Sequence, residues 1–190
     1  MKTGKLIIFS APSGSGKTTL VKHLLKQKKL SLLFSISATS RSPRNGETNG
    51  KDYFFLTKKD FKKKIMNDDF VEYEEVYPGS YYGTLKKEIK RIWGLGKHVV
   101  FDIDVIGGLN IKKKYPNQTL SVFIETPNID HIKKRLIKRN LDSKKKLKLR
   151  MHKAQDEIKL ANKFDVRLLN NDLNKAKIKA EKLILNFIKD

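Results

Sequence analysis

Residues 11–18 read Ala11-Pro12-Ser13-Gly14-Ser15-Gly16-Lys17-Thr18. Small residues followed by a glycine, a lysine and a hydroxyl suit one task, the cradling of phosphates. Glycines let the backbone curl until successive N–H groups point at phosphate oxygens, and a helix that starts there adds its dipole. Lys17 would reach the outer phosphates of a nucleotide, and Thr18 would offer its hydroxyl to Mg2+. The pattern G-x-x-x-x-G-K-[ST] is complete except that Ala11 stands at its first glycine. A carboxylate for the metal or its waters is expected at Asp102, near the end of the apolar run 99–103. Asp104 lies two residues on. It points the same way if the strand continues, and caps the next helix if it does not.

A phosphate loop alone does not name a substrate. A second polar set lies downstream: Ser37, Arg41, Arg44, Tyr53, Glu72, Tyr82 and Thr84. Two guanidinium forks and phenolic hydroxyls suit a phosphate. A carboxylate suits guanine, whose N1–H and N2–H2 form a paired donor edge that Glu72 can accept. A hydroxyl at Ser37 or Thr84 can bond O6 or that carboxylate.

These residues need a frame, and the apolar pattern supplies one. Residues 5–10 read as a buried strand and 17–28 as a helix, so the glycine loop joins a strand to a helix. Strands are expected at 34–37, 53–56, 70–76, 98–103, 120–125 and 166–169. Helices are expected at 58–67 (capped by Thr57), 84–93, 104–114, 128 to about 138, up to about 162, and 174–188. Residues 40–52 are dense in turn formers. Residues 139–150 are Lys-rich with little apolar periodicity and read as a mobile segment. The strand–helix alternation predicts an α/β fold: a parallel sheet with helices on both faces. Residues 34–83 break the alternation and read as an inserted, strand-rich subdomain.

Composition narrows the class. The 190 residues suit one domain with insertions, and 38% apolar content is too much for a disordered chain. No apolar run approaches the roughly 18 residues of a membrane span. Met1-Lys2-Thr3-Gly4-Lys5 leads straight into the first strand without a signal-peptide core, so a cytoplasmic protein is expected. There is no cysteine, which excludes disulfides, thiolate nucleophiles and cysteine zinc sites. The net charge of +22 invites a polyanion reading. However, only 7 of the 42 basic residues are arginine, and the basic runs carry no aromatic residues. Lys, Asn and Ile all have A/T-rich codons, and genome composition accounts for the excess. No nucleic-acid or membrane partner is expected, and the oligomeric state is open.

The sequence resembles the guanylate kinase family. The resemblance rests on residues 34–44 (FSISATSRSPR), 46–54 (GETNGKDYF), 81–84 (YYGT), 101–105 (FDIDV) and 170–173 (NNDL), in family order behind the phosphate loop. It implies an ATP:GMP phosphotransferase, acting on dGMP as well, with Mg2+ bound with ATP. The implied fold is the P-loop kinase type, with a core (1–33, 84–125 and 156–190), a GMP-binding subdomain (34–83) and a lid (about 126–155). By position, Arg41, Arg44, Tyr53 and Tyr82 would hold the GMP phosphate, and Ser37, Glu72 and Thr84 would read guanine. Asp104 is assigned to the GMP side. Arg135, Arg139 and Arg150 would clamp the ATP phosphates and the transferring group, and Asn170 and Asn171 would face adenine. Lys17, Arg41, Asp102 and the three lid arginines are the catalytic candidates. The departures are Ala11, Ile106 where glutamine is common, and Asn140 after the second lid arginine. Three other readings are a P-loop kinase for a different acceptor, a guanylate-kinase-like binding module without activity, and a basic nucleic-acid-binding protein.

Overall fold

A computed structural model describes residues 4–138 and 144–189, without the side chains of Lys138 and residues 144–146. Nine strands and seven α-helices form within the described residues. The first strand, β1 (Leu6–Ser10), is LIIFS with every residue buried. A strand apolar on both faces belongs in the middle of a parallel sheet, and β1 lies there. Its neighbours are β7 (His98–Ile103) and β8 (Thr119–Glu125), with β2 (Leu32–Phe34) and β9 (Val166–Leu169) at the edges, in the order β2-β7-β1-β8-β9. Every pairing in this sheet is parallel. The register sets Phe9 beside Asp102, so the metal-side carboxylate stands next to the end of the strand that feeds the phosphate loop.

Helices cover both faces. On one, Leu20 and Leu24 of α1 (Lys17–Leu25) and Ala180 and Ile184 of α7 (Leu173–Lys189) pack with Ile7, Phe9 and Val122. On the other, Ile89 and Ile92 of α3 (Lys86–Gly94) and Ile111 of α4 (Val105–Lys114) pack with Leu6, Ile8 and Phe101.

A second sheet is mixed, in the order β4-β3-β6-β5: β3 (Ala38–Thr39), β4 (Phe54–Phe55), β5 (Phe70–Tyr77) and β6 (Ser80–Leu85). Its small core is Ala38, Phe61, Phe70 and Leu85, with the Phe61 and Phe70 rings stacked at 4.5 Å. Phe61 comes from α2 (Lys58–Met66), whose cap is Thr57: its hydroxyl accepts the Asp60 N–H at 3.0 Å. The chain closes with α5 (Ile129–Lys138) and α6 (Lys144–Lys159), which pack through Ile132, Leu136 and Ala154.

The parallel α/β core and the strand-rich insertion match expectation. Three local readings do not. The alternating stretch 34–37 is no strand; β2 ends at Phe34, β3 begins at Ala38, and the residues between cross from one sheet to the other. Thr84 and Leu85 belong to β6, so the helix there starts at Lys86. Of the two expectations for Asp104 the cap holds: the strand stops at Ile103, as expected, and the Asp104 carboxylate caps α4 by accepting the Gly107 N–H at 2.9 Å. Residues 144–149 are helical, because Leu147 and Met151 pack against the α5–α6 core despite the lysines around them. The rest of the segment expected to be mobile, 139–143, lies outside the described residues.

Candidate active site

The phosphate loop bends as its glycines allow. Gly14 and Gly16 have φ of 95° and 90°, in the left-handed region where other residues are strained. The loop is propped from below by Asn170, which is 4% exposed and donates its amide to the Ser15 carbonyl at 2.8 Å. Arg135 donates to the Gly14 carbonyl at 3.2 Å.

Lys17 and Thr18 converge on Asp102. The Lys17 ammonium lies 2.8 Å from Asp102 Oδ1 and donates to the Ile103 carbonyl at 2.7 Å. The Thr18 hydroxyl donates to Asp102 Oδ2 at 2.6 Å. That direction matters: with its proton on Asp102, the Thr18 oxygen keeps its lone pairs for a cation. Burial raises the Asp102 pKa, but Lys17 and Thr18 outweigh it and hold the carboxyl below the usual carboxylate range. Asp102 is therefore ionised at neutral pH.

A cavity of about 350 Å3 opens from this loop. One wall is residues 11–18 with Asp102 and Asp104. The facing wall comes from the second sheet and the segments that join its strands: Glu72 and Tyr82 from β5 and β6, with Ser37, Arg44 and Tyr53. Arg150, Lys153 and Glu157 of α6 also line it. Most of the residues expected to hold two anions thus share one cleft, although Arg41 and Thr84 do not line it.

Glu72 is the most unusual group in it. An extra residue in β5, between the pairs Phe70↔Leu85 and Glu72↔Thr84, breaks the strand's alternation. Phe70, Val71 and Glu72 are all buried as a result, with Phe70 in the small core and Val71 in the large one. Such bulges re-aim side chains, and this one turns Glu72 onto the cavity. Glu72 is 6% exposed, its Oε1 has no hydrogen-bond partner, and neither does the Thr84 hydroxyl opposite. Burial pushes the Glu72 carboxyl up to about 8, with the nearness of Thr84 offsetting part of the rise and the charge of Asp104 adding to it. Gly107 closes this corner, since a Cβ there would sit 2.8 Å from Glu72 Oε2.

The two arginines expected to hold the acceptor phosphate differ: Arg44 lines the cavity and Arg41 does not. Arg41 is engaged: Nη1 and Nη2 donate to Glu47 at 2.6 and 2.7 Å, Nη1 also to the Ser42 carbonyl, and Nε to the Tyr82 hydroxyl at 3.0 Å. Its guanidinium also lies over the Tyr53 ring at 4.9 Å. Of its five donors, one remains for a ligand. Arg41 was expected to put a whole fork on a phosphate, and here the fork is on a carboxylate. The hydrogen bond to Arg41 holds Glu47 down to about 2. Arg44 is exposed, and its guanidinium has no such partner among the described residues. Because the Tyr82 hydroxyl accepts from Arg41, its own proton is left to donate elsewhere. Burial raises the Tyr53 pKa, so that hydroxyl also stays a donor.

A second cavity lies behind the loop, lined by Gly14, Gly16, Thr19, Arg135, Asn170, Asn171 and Leu173. It brings together the residues expected to face adenine, although the Asn170 amide is committed to the loop. Arg139 lies outside the described residues. Ile106 is 40% exposed on α4. Four residues at the site escaped the sequence reading: Glu47, Gly107, Lys153 and Glu157. Lys153 and Glu157 carry a signal that was there to read, lying three and seven positions after Arg150 on one helix face. Burial pushes Glu157 up to about 7, against the attraction of Lys153 and Lys17.

The family model for guanylate kinase matches residues 3–186. The chain belongs to the guanylate kinase family. A guanylate kinase of Bacteroides fragilis is 51% identical over 189 residues, covering 98% of this chain and 92% of its own. One of Porphyromonas gingivalis is 49% identical over 184 residues, covering 97% and 98%. The crystal structure of guanylate kinase from Anaplasma phagocytophilum shares the fold, with a TM-score of 0.80 over 99% of this chain and 88% of that one, at 24% identity. In this chain Lys17 and Thr18 each contact Asp102. No helix among the described residues is long and apolar enough to cross a membrane.

Proposed function

We propose that this chain transfers the γ-phosphoryl group of ATP to GMP, giving ADP and GDP, and accepts dGMP as well. The observation that carries the acceptor is the buried Glu72–Thr84 pair: each has an oxygen without a hydrogen-bond partner, and Glu72 lines the cavity that begins at the phosphate loop. Buried polar atoms are normally satisfied. Guanine supplies the missing partners: N1–H and N2–H2 for Glu72 and, through O6, an acceptor for a hydroxyl.

In this reading an oxygen of the GMP phosphate attacks the γ-phosphorus, and the bond from that phosphorus to the ADP oxygen breaks. No protein nucleophile is needed. The loop amides and Lys17 hold the β and γ phosphates. Arg44, Tyr53, Tyr82 and the remaining donor of Arg41 hold the acceptor phosphate. Ser37 reads guanine with Glu72 and Thr84, Asp104 borders the GMP side, and Asn171 faces adenine. Arg135, Arg139 and Arg150 neutralise charge on the group in transfer. The work is positioning plus electrostatics. Three bodies divide it: a core, a GMP region (34–83) and a lid (about 126–155) that excludes water as it closes.

Mg2+ enters with ATP. No group of three or more acidic or histidine side chains among the described residues could hold a metal alone. One hydroxyl and one nearby carboxylate fit an ion that keeps waters and phosphate oxygens as its main ligands. Thr18 would ligate it, Asp102 would hold its waters, and the ion would neutralise phosphoryl charge. A cytoplasmic location, without nucleic-acid or membrane partners, goes with this reading. The test is ADP formation from ATP with GMP, dGMP, IMP, AMP and UMP in turn. GMP and dGMP should be used far better than the rest, and equal use of AMP would overturn the guanine reading.

A further inference from the structure

Two crossings join the second sheet to the first: residues 35–37 on the way out, and the step from Leu85 to Lys86 on the way back. Each residue of the outward crossing is tied to a different element. The Ser35 N–H donates to the Val100 carbonyl of β7 at 3.0 Å. The Ile36 N–H donates to Glu88 Oε2 at 3.1 Å. The Ser37 carbonyl accepts from the Phe54 N–H of β4 at 2.9 Å. The middle tie alone uses a side chain, and that side chain sits in the first turn of α3, three residues beyond Leu85.

Glu88 is 3% exposed. Its other bonds are from Arg91, Nε to Oε1 at 2.9 Å and Nη2 to Oε2 at 3.0 Å. Burying a carboxylate is costly unless it is paired. Here the pairing also decides where the outward crossing lies relative to the return crossing. Ser37 follows directly and lines the cavity, while β6, which carries Tyr82 and Thr84, leads directly into α3.

We propose that Glu88 is a positioning residue for the acceptor nucleotide: by holding the Ile36 N–H against the first turn of α3, it fixes both crossings and so sets Ser37 and the β6 wall against the phosphate loop. The inference rests on the reading of that wall as the GMP site. Glu88 touches no substrate in it.

Four variants separate this role from a general stabilising one. Glu88→Ala removes the acceptor. Glu88→Asp keeps the charge at the helix start but falls a methylene short of Ile36. Glu88→Gln keeps a carbonyl for the Ile36 N–H and loses the charge, and Arg91→Ala removes the ion pair alone. Steady-state kinetics with each nucleotide varied, and amide exchange at Ile36 and Ser37 without nucleotide, are the readouts. Loss of one buried hydrogen bond should raise the GMP KM about tenfold and speed Ile36 exchange about tenfold in the Ala and Asp variants. The ATP KM should stay within about twofold, and the Gln and Arg91→Ala variants should keep a near-native GMP KM and Ile36 exchange, with Arg91→Ala losing thermal stability because it leaves the Glu88 carboxylate without its ion pair. Native Ile36 exchange in the Asp variant, an equal rise in both KM values, or a Gln variant as impaired as Asp would each overturn the proposal. If the native chain does not phosphorylate GMP, the functional reading fails first, and the exchange arm still decides whether Glu88 holds the crossing.

Discussion

Guanine can bind Glu72 only as a carboxylate, because both edge groups of the base are donors. Before the nucleotide arrives, burial holds that carboxyl up to about 8. Binding must therefore expel a proton at neutral pH. The sign follows from the linkage: a ligand that needs the ionised form binds more tightly as pH rises toward 8 and levels off above it. With a pKa of about 8, about one molecule in ten carries the carboxylate at pH 7 and one in a hundred at pH 6. The GMP affinity should then weaken about tenfold per pH unit below 8, a loss of about 1.4 kcal/mol each time. Calorimetric titration with GMP alone, in buffers of different ionisation enthalpy, counts the proton directly: close to one released at pH 7, and close to none at pH 9. The GMP phosphate titrates near pH 6, so the window is 6.5–9 and Glu72→Gln is the reference. The variant should bind weakly with a flat profile. A native profile as flat as the variant's, with no proton released at pH 7, would refute the idea that a buried, protonated Glu72 is the guanine acceptor.

Lys17→Ala removes the charge at the β and γ phosphates; kcat should fall by about two orders of magnitude or more, with the fold retained by circular dichroism, and near-normal turnover would dismiss the phosphate loop. Arg150→Lys keeps the charge and loses the planar fork, so kcat should drop more than the GMP KM changes; an effect confined to the GMP KM would move Arg150 to the acceptor side. Glu47→Gln weakens the grip on Arg41 and with it the directed hydrogen bond to Tyr82. The GMP KM should rise about tenfold, while the GMP-to-IMP preference and the ATP KM hold, and an altered base preference would show that Glu47 acts on guanine instead.

The phosphate loop and the apolar strands were legible because their signals are local. Lys5–Ser10 and His98–Ile103 read as buried strands, and 17–28 as a helix that in the structure ends at Leu25, from neighbouring residues alone. Three features were not legible, for one common reason: their cause lies far away in the chain. Phe34-Ser35-Ile36-Ser37 alternates like a strand, but its backbone bonds go to three different elements. Thr84 and Leu85 look like the start of a helix, yet β5 captures them by pairing. Lys144–Lys159 looks unstructured where lysines crowd its start, yet Leu147 and Met151 find their partners on α5. The site residues divide in the same way. Glu72 was found by its chemistry, whereas the bulge that aims it depends on pairing with β6. Glu47 was quoted within the stretch GETNGKDYF, but its hold on Arg41 is a matter of geometry.

The seven arginines show how far residue type alone can carry an assignment. In a chain with so much lysine, the six described arginines all sit where a planar fork has a use. Arg91 meets Glu88, Arg167 meets Glu125 and Arg41 meets Glu47. Arg44 and Arg150 line the first cavity and Arg135 the second. Arginine therefore marks an oxyanion that offers a pair of oxygens, and it does not say whether that oxyanion is a carboxylate of the chain or a phosphate of the substrate. Exposure does not separate the two classes, since Arg44, which lines the cavity, and Arg91, which is paired with Glu88, are both exposed. Occupancy of the fork does. Arg44 lines the cavity with no carboxylate partner among the described residues, and it is the strongest of the facing wall's candidates for direct phosphate contact. In the proposed reading Arg41 would act on the phosphate largely through Tyr82, whose hydroxyl accepts its Nε–H and keeps its own proton to donate.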